Sequence, residues 1–447
     1  MQNDIMSIKD YIEIIEDARN IVNKTSECSF RNTEIFNKAF EENSQVSQEA
    51  DGENMFRNKI YHANNIVLLK KLANCPEYRN RFSLIYIDPP FFTRTNYHAT
   101  LSLGEENVKH LAYEDKWKSG KKDYLIQLAS GLLLMKEVLS DEGLIWLHLD
   151  WHIVHYAKIL MDEIFGEKNF VNEVIWTYKS GGSSNRRFSR KHDNLLVYSK
   201  TSKYKFNPLK EKSYNRQFKP YRFKGVEEFE DGQGWYTMVN MKDVWNIDMV
   251  GRTSKERTGY ATQKPELLLE RIIESSTSEG DLCGDFFSGS GTLAAACENL
   301  GRKYIVCDES NLAVESCIER MAKRKGFFEV RRASEFRKTS DATDGDERAK
   351  DGVRNSDTYK PCGKVQIAKR NLTEYELAVS ANTDLKYWSV GFIDDEGVFN
   401  SHKTFFREKN KLKQLCIVDK DFFYDRDVVV KTVDVFGNRK YIEVEVK

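Results

Sequence analysis

Residues 281–308 read DLCGDFFSGSGTLAAACENLGRKYIVCD. The pattern predicts a buried strand over 281–287, a glycine-rich turn over 288–292, a helix over 293–300 and a second strand over 304–307 that stops on Asp308. Two strands joined through a helix lie parallel in one sheet. Gly289 and Gly291 let the backbone approach a ligand closely, and an acid ending the next strand is placed to bind both hydroxyls of a ribose. Asp285 ends the first strand beside the same pocket. The turn is Gly-x-Gly without the third glycine of a dinucleotide fingerprint. No lysine follows the last glycine, so it is not a phosphate-binding loop. A nucleoside without a phosphate chain fits better.

Leu84-Ile85-Tyr86-Ile87-Asp88-Pro89-Pro90-Phe91 is the second informative stretch. Its first four residues suit a strand covered on both faces. The two prolines end that strand, and the residue before each is held extended. The corner therefore presents a carboxylate, fixed carbonyls and an aromatic ring where open α/β sheets bind ligands. A planar exocyclic amine matches it: one hydrogen to Asp88, one to the Pro89 carbonyl, and Phe91 on the ring face. The plain alternative is an ordinary strand end followed by a Pro-Pro turn.

Strand and helix alternate through the neighbouring chain. Residues 57–70 predict a short strand, a polar turn at Ala63-Asn64-Asn65 and a helix start. Asn64 there is either an ordinary helix cap or a ligand contact. Residues 99–140 predict helix, 143–149 a buried strand, and 154–165 a helix. Thr262-Gln263-Lys264-Pro265 leads into a helix over 266–275. The fold class is α/β, with a doubly wound, mostly parallel sheet. Residues 1–55 predict polar helices packing on the main domain or a partner. A catalytic domain spans 56–330, a polar linker 331–360, and a small all-β domain 361–447.

Composition narrows the function classes. Lys plus Arg equals Asp plus Glu at 69 each, so only the distribution of charge is informative. Between Trp176 and Lys224 fourteen Lys or Arg face two acids, with aromatics interleaved, which suits a phosphate-binding surface. Residues 200–260 predict an irregular insertion of the kind that carries specificity. No apolar run is long enough for a membrane helix, and residues 1–4 do not open a signal peptide. The eight cysteines form no Cys-x-x-Cys pair and read as reduced thiols of a cytoplasmic protein, without a zinc or other metal site.

Together the motifs resemble the DNA amino-methyltransferases in which the catalytic motif precedes the cofactor motif. The match rests on Asp88-Pro89-Pro90-Phe91, on Asp285-Phe286-Phe287-Ser288-Gly289-Ser290-Gly291-Thr292, and on Thr262-Gln263-Lys264-Pro265. His148-Leu149-Asp150-Trp151 and Arg190-Lys191-His192-Asp193 also look like family segments. The resemblance covers about 57–325. It implies a Rossmann-like methyltransferase fold and S-adenosylmethionine as cofactor. It also implies direct in-line methyl transfer to a base flipped out of double-stranded DNA. Asp88, Pro89, Pro90 and Phe91 are then catalytic. Asn64, Lys264, Asp285, Phe287, Gly289, Gly291, Thr292 and Asp308 hold the cofactor, with Asp308 on its ribose. Arg186, Arg187, Arg190 and Lys191 bind DNA, and the 200–260 insertion recognises the target. Asp at the first motif position leans toward adenine N6. Cytosine N4 methylation is the alternative, and a non-catalytic DNA-recognition subunit is another. A second copy of the chain and a restriction subunit are the further candidate partners. Family members usually carry Gly-Asp at Ala63-Asn64 and a larger apolar residue at Gly284.

Overall fold

The computed structural model describes residues 6–36, 57–333 and 363–444, apart from short stretches at 94, 104–105, 116, 118–119, 180–183, 252, 261, 372, 382–384, 408–410, 424–425 and 436. One sheet organises these residues. Its strands in chain order are β1 (Phe30–Phe36), β2 (Lys59–His62), β3 (Phe82–Ile87), β4 (Leu139–Leu149), β5 (Phe170–Thr177), β6 (His192–Ser199), β7 (Val244–Asn246), β8 (Leu282–Asp285), β9 (Lys303–Asp308), β10 (Phe328–Ala333), β11 (Leu385–Ile393), β12 (Phe399–Phe406), β13 (Asp427–Asp434) and β14 (Arg439–Glu443). They lie in the order β7-β5-β6-β4-β3-β8-β9-β2-β10-β1-β12-β11-β13-β14. The run from β4 to β10 is parallel.

Helices cover both faces of that run, as a parallel sheet requires. Helices α1 (Ile8–Lys24), α2 (Asn65–Asn74), α3 (Lys121–Val138) and α4 (Val154–Phe165) share one core with Ile85 and Ile87. Helices α5 (Glu266–Ser276), α6 (Thr292–Asn299) and α7 (Asn311–Lys323) share the other with Leu84 and Tyr86. Successive residues of β3 thus serve opposite faces, the period of a strand. Gly284 in β8 has a steric reason: a Cβ there would lie 2.8 Å from the Phe82 ring. Phe82 fills the space that a larger residue at 284 would take.

Three expectations about elements change. Residues 99–140 are not one helix: Asn96–Leu103 and Glu106–Glu114 pair antiparallel, and α3 starts only at Lys121. In the sequence, Gly104 is a breaker signal that a helical reading passes over. The N-terminal segment is helical over α1, but Phe30–Phe36 is a strand between β10 and β12. Residues 37–56 and most of the expected linker lie outside the described residues.

The C-terminal strands do not stand apart either. Through β1 they continue the main sheet, and a three-stranded sheet of Gly363–Lys369, Glu374–Ala381 and Leu415–Asp419 packs on them. Leu377, Val379 and Val418 meet Trp388, Val390 and Val430 in that core. A buried ionic cluster closes the seam. Glu34 of β1 is fully buried; it pairs with the buried Lys431 of β13 and accepts from Arg332 of β10 at 3.1 Å. Arg332 also reaches Glu315 of α7 at 2.9 Å, and Tyr387 donates to the same carboxylate at 2.9 Å. No helix among the described residues is long and apolar enough to cross a membrane.

Candidate active site

The carboxyl ends of β3, β8, β9 and β2 are neighbours, so their terminal residues surround one cavity of about 680 Å³. Asp88, Pro89, Pro90 and Phe91 form part of its wall; Asp285, Phe287, Gly289, Thr292 and Asp308 form another part. The two informative stretches of sequence therefore open into a single space.

Asp88 sits at the junction. Its Oδ2 accepts from Lys264 Nζ, and that ammonium lies 5.3 Å from the Phe91 ring centroid. Lys264, expected on the cofactor, lines the cavity, and its ammonium pairs with Asp88. A buried polar chain stands behind. His148 Nε2 lies 3.2 Å from Asp193 Oδ2, and Tyr178 donates to Asp193 at 3.0 Å. A carboxylate only accepts, so Nε2 carries a hydrogen, and Nδ1 lies 2.8 Å from the Tyr86 hydroxyl. That Nδ1 lies 3.9 Å from Asp88 Oδ1. Burial pushes the Asp193 carboxyl up, but His148, Lys264 and Tyr178 together outweigh this and hold it below the usual range.

The glycine-rich turn is shaped around Asp308. Its Oδ2 accepts from the Gly289 N–H and its Oδ1 from the Ser310 N–H, both at 2.8 Å. Burial nevertheless raises the carboxyl to about 6. Burial lifts Asp285 well above the usual range, against the bond from the Phe287 N–H at 3.0 Å. Gly289 has φ 50°, and a Cβ there would meet the Tyr260 ring at 3.3 Å. Gly291 does not line the cavity as expected. It has φ 74°, and a Cβ would lie 2.3 Å from Cys317 Sγ, so its job is to let α7 pack against the turn. Arg320 of α7 donates to Thr292 at 3.0 Å and to Glu266 at 2.6 Å, fixing the turn to the start of α5.

Asn64 caps a helix and also lines the cavity. Its Oδ1 caps α2 by accepting from Ile66 and Val67, and its Nδ2 donates to Glu309 at 3.4 Å on the cavity wall. Arg186, Arg187 and Arg190 are exposed and Lys191 is half-exposed, all on the segment entering β6. The Arg190 guanidinium lies 3.4 Å from the Trp151 ring centroid.

A ligand is what the wall is built for. Asp88 Oδ1, Tyr124 Oη, Ser288 Oγ and Ser290 Oγ are buried without a hydrogen-bond partner among the described residues, and all four residues line the cavity. Buried polar atoms are rarely left so. A nucleoside with hydroxyls, an amine and ring nitrogens has the donors and acceptors to match them.

A model of the N6/N4 DNA methylase family matches residues 82–319, which include both wall segments. The chain belongs to this DNA methylase family. Among relatives of this methylase, the type II methyltransferase M.HpaI of Haemophilus parainfluenzae is 28% identical over 263 residues, 57% of this chain and 71% of the relative. The type II methyltransferase M2.LlaDCHI of Lactococcus lactis subsp. cremoris is 29% identical over 266 residues, 59% of this chain and 89% of the relative. Among solved structures, the M1.HpyAVI–SAM complex covers 59% of the methylase and 98% of its own chain, at 19% identity and TM-score 0.38. The cytosine-N4-specific PvuII DNA methyltransferase covers 60% and 90%, at 14% identity and TM-score 0.40.

Sequence reasoning missed Tyr124, Tyr260, Glu309 and the contact between Lys264 and Asp88. Tyr124 lies in a leucine-rich helix and reads as core. Lys264 and Asp88 are 176 residues apart, so no local pattern joins them.

Proposed function

We propose that this methylase transfers a methyl group from S-adenosylmethionine to the exocyclic N6 amine of adenine in double-stranded DNA. The observation that carries this reading is that the Asp88 corner and the Asp285–Asp308 wall line one cavity. When bound, S-adenosylmethionine supplies an electrophilic methyl on a sulfonium. Asp308 accepts from the ribose hydroxyls, and Ser288 and Ser290 satisfy their buried hydroxyls on the same ligand. The target base leaves the duplex stack to reach the corner. Its amine donates one hydrogen to the unpartnered Asp88 Oδ1, beside the oxygen that Lys264 holds, and its second hydrogen goes to the Pro89 carbonyl. Those two bonds draw the nitrogen toward a pyramidal geometry with a free lone pair. Phe91 stacks on the flipped ring. Positioning of this kind supplies most of the catalysis. The 200–260 segment, which holds a three-stranded sheet of Lys210–Tyr214, Phe229–Asp231 and Gly234–Asn240, reads the target sequence. The reaction belongs in the cytoplasm, where duplex DNA is the partner.

The test is transfer of labelled methyl from S-adenosylmethionine to duplex DNA of mixed sequence, followed by digestion to nucleosides. N6-methyladenine is the expected product, and N4-methylcytosine would move the reading to the other base. Asp88→Ala should lower turnover by about 10²–10³-fold, while cofactor affinity stays within about threefold. Normal turnover in that variant would remove Asp88 from the reaction.

A further inference from the structure

The reaction described so far leaves out the segment that leads into β6. Its described part, 184–191, reads Ser-Asn-Arg-Arg-Phe-Ser-Arg-Lys. Phe188 is 99% exposed, the largest exposure among the large hydrophobic side chains of the described residues. Arg186 and Arg187 precede it; Arg190 and Lys191 follow. An aromatic ring held wholly in water among four cations does not belong to a core. It suits a polyanion that also offers aromatic faces, which is nucleic acid.

Its position is as informative as its exposure. Arg190 stacks on Trp151, just past the carboxyl end of β4. β4 lies beside β3, with Leu147 opposite Ile87, so the chain leaves both strands at the same edge of the sheet, where the Phe91 ring centroid lies 5.7 Å from that of His148, three residues before Trp151. The Lys191 carbonyl accepts from the Tyr178 N–H at 3.1 Å. Asp193, two residues on, holds His148 behind Asp88. The segment thus rises from the floor of the amine corner. Phe188 is two residues from Arg190, so their Cα atoms are at most about 7 Å apart. Two phenylalanines flank the rim in different states: Phe91 is half-buried within it, Phe188 stands outside it.

We propose that Phe188 is a wedge that enters the duplex stack and fills the gap left by the flipped base, while Arg186 and Arg187 hold the flanking phosphates. This rests on the reading that the chain methylates a base amine in duplex DNA. A flipped base leaves its partner unstacked, and an apolar ring inserted there offsets that loss. The ring acts on extrusion of the base, not on methyl transfer itself. Its contribution therefore disappears when the target base is unpaired from the start.

The experiment compares the native chain, Phe188→Ala and Phe188→Trp in single-turnover methylation. The target site is first located from methylated genomic DNA. Two duplexes carry that site: one fully paired, one with the target base mismatched. Phe188→Ala should slow methylation of the paired duplex at least about tenfold and stay within about threefold of native on the mismatched one. Phe188→Trp should retain most of the paired rate. An equal loss on both duplexes would overturn the wedge, because the ring would then serve general affinity. No loss on either would also overturn it and leave the ring to a protein partner. A native chain that methylates no DNA would overturn the reaction and the wedge together, whereas native methylation by Phe188→Ala overturns the wedge alone.

Discussion

Two clusters of buried carboxylates share one sheet, and the fold treats them in opposite ways. At the seam, burial works against the charge on Glu34, but Lys431 and Arg332 outweigh it and hold the carboxyl below its usual range. In the cavity, Asp285 and Asp308 are pushed up by burial, and backbone N–H groups are the main force opposing it. Nearby hydroxyls of Ser288 and Ser290 lack partners among the described residues. A buried charge that the chain pairs for itself belongs to architecture. One it leaves under-compensated is reserved for a partner that arrives later.

This contrast can be broken at several points. The largest effect is expected at the seam. Lys431→Met strips Glu34 of its closest cation and should cost about 3–5 kcal/mol in chemical denaturation. A loss below about 1 kcal/mol would erase the distinction between the clusters. Asp308 should give a smaller, pH-dependent effect. Its folded pKa of about 6 lies above the unfolded value. Between the two, the folded chain holds a proton the unfolded chain has lost. The unliganded protein therefore loses stability as pH rises through that window. Cofactor binding runs the other way, because ribose hydroxyls need the ionised form. Calorimetry should show affinity for S-adenosylmethionine falling about tenfold from pH 7 to pH 5. Asp308→Asn should flatten that dependence; a flat profile in the native chain would remove Asp308 from the ligand. Ser290→Ala should give the smallest change. Deleting an unpartnered hydroxyl should leave stability within about 0.5 kcal/mol while weakening cofactor binding about three- to tenfold. A clear loss of stability instead would place Ser290 with the seam.

What could be read from the sequence follows the range of the forces involved. The corner at Asp88 and the 281–308 unit are local: strand period, proline geometry and glycine turns act within a few residues. Strand β1 is not local. Phe30–Phe36 pairs with residues about 300 or more positions later, and no window around it contains its partners. Gly291 reads as a ligand contact because a glycine in such a turn is ambiguous, and only the position of Cys317 decides between ligand and helix. Gly284 looks anomalous until Phe82, from another strand, is seen in its place.

The contact between Glu34 and Lys431 spans 397 residues. Loop closure over such a length costs little more than over half of it, but the contact cannot form before residue 431 has been synthesised. At about 5–20 residues per second, that delay is roughly 20–80 s. For most of that time the segment holding Ile35 and Phe36 lacks one or both of the strands it pairs with, 328–333 and 399–400, and offers an open edge to any other chain. A carboxylate in the middle of such a strand repels sheet growth between copies. Glu34 therefore serves the chain twice: as a solubilising charge while the protein is being made, and as the acceptor that locks its two ends together once Lys431 emerges.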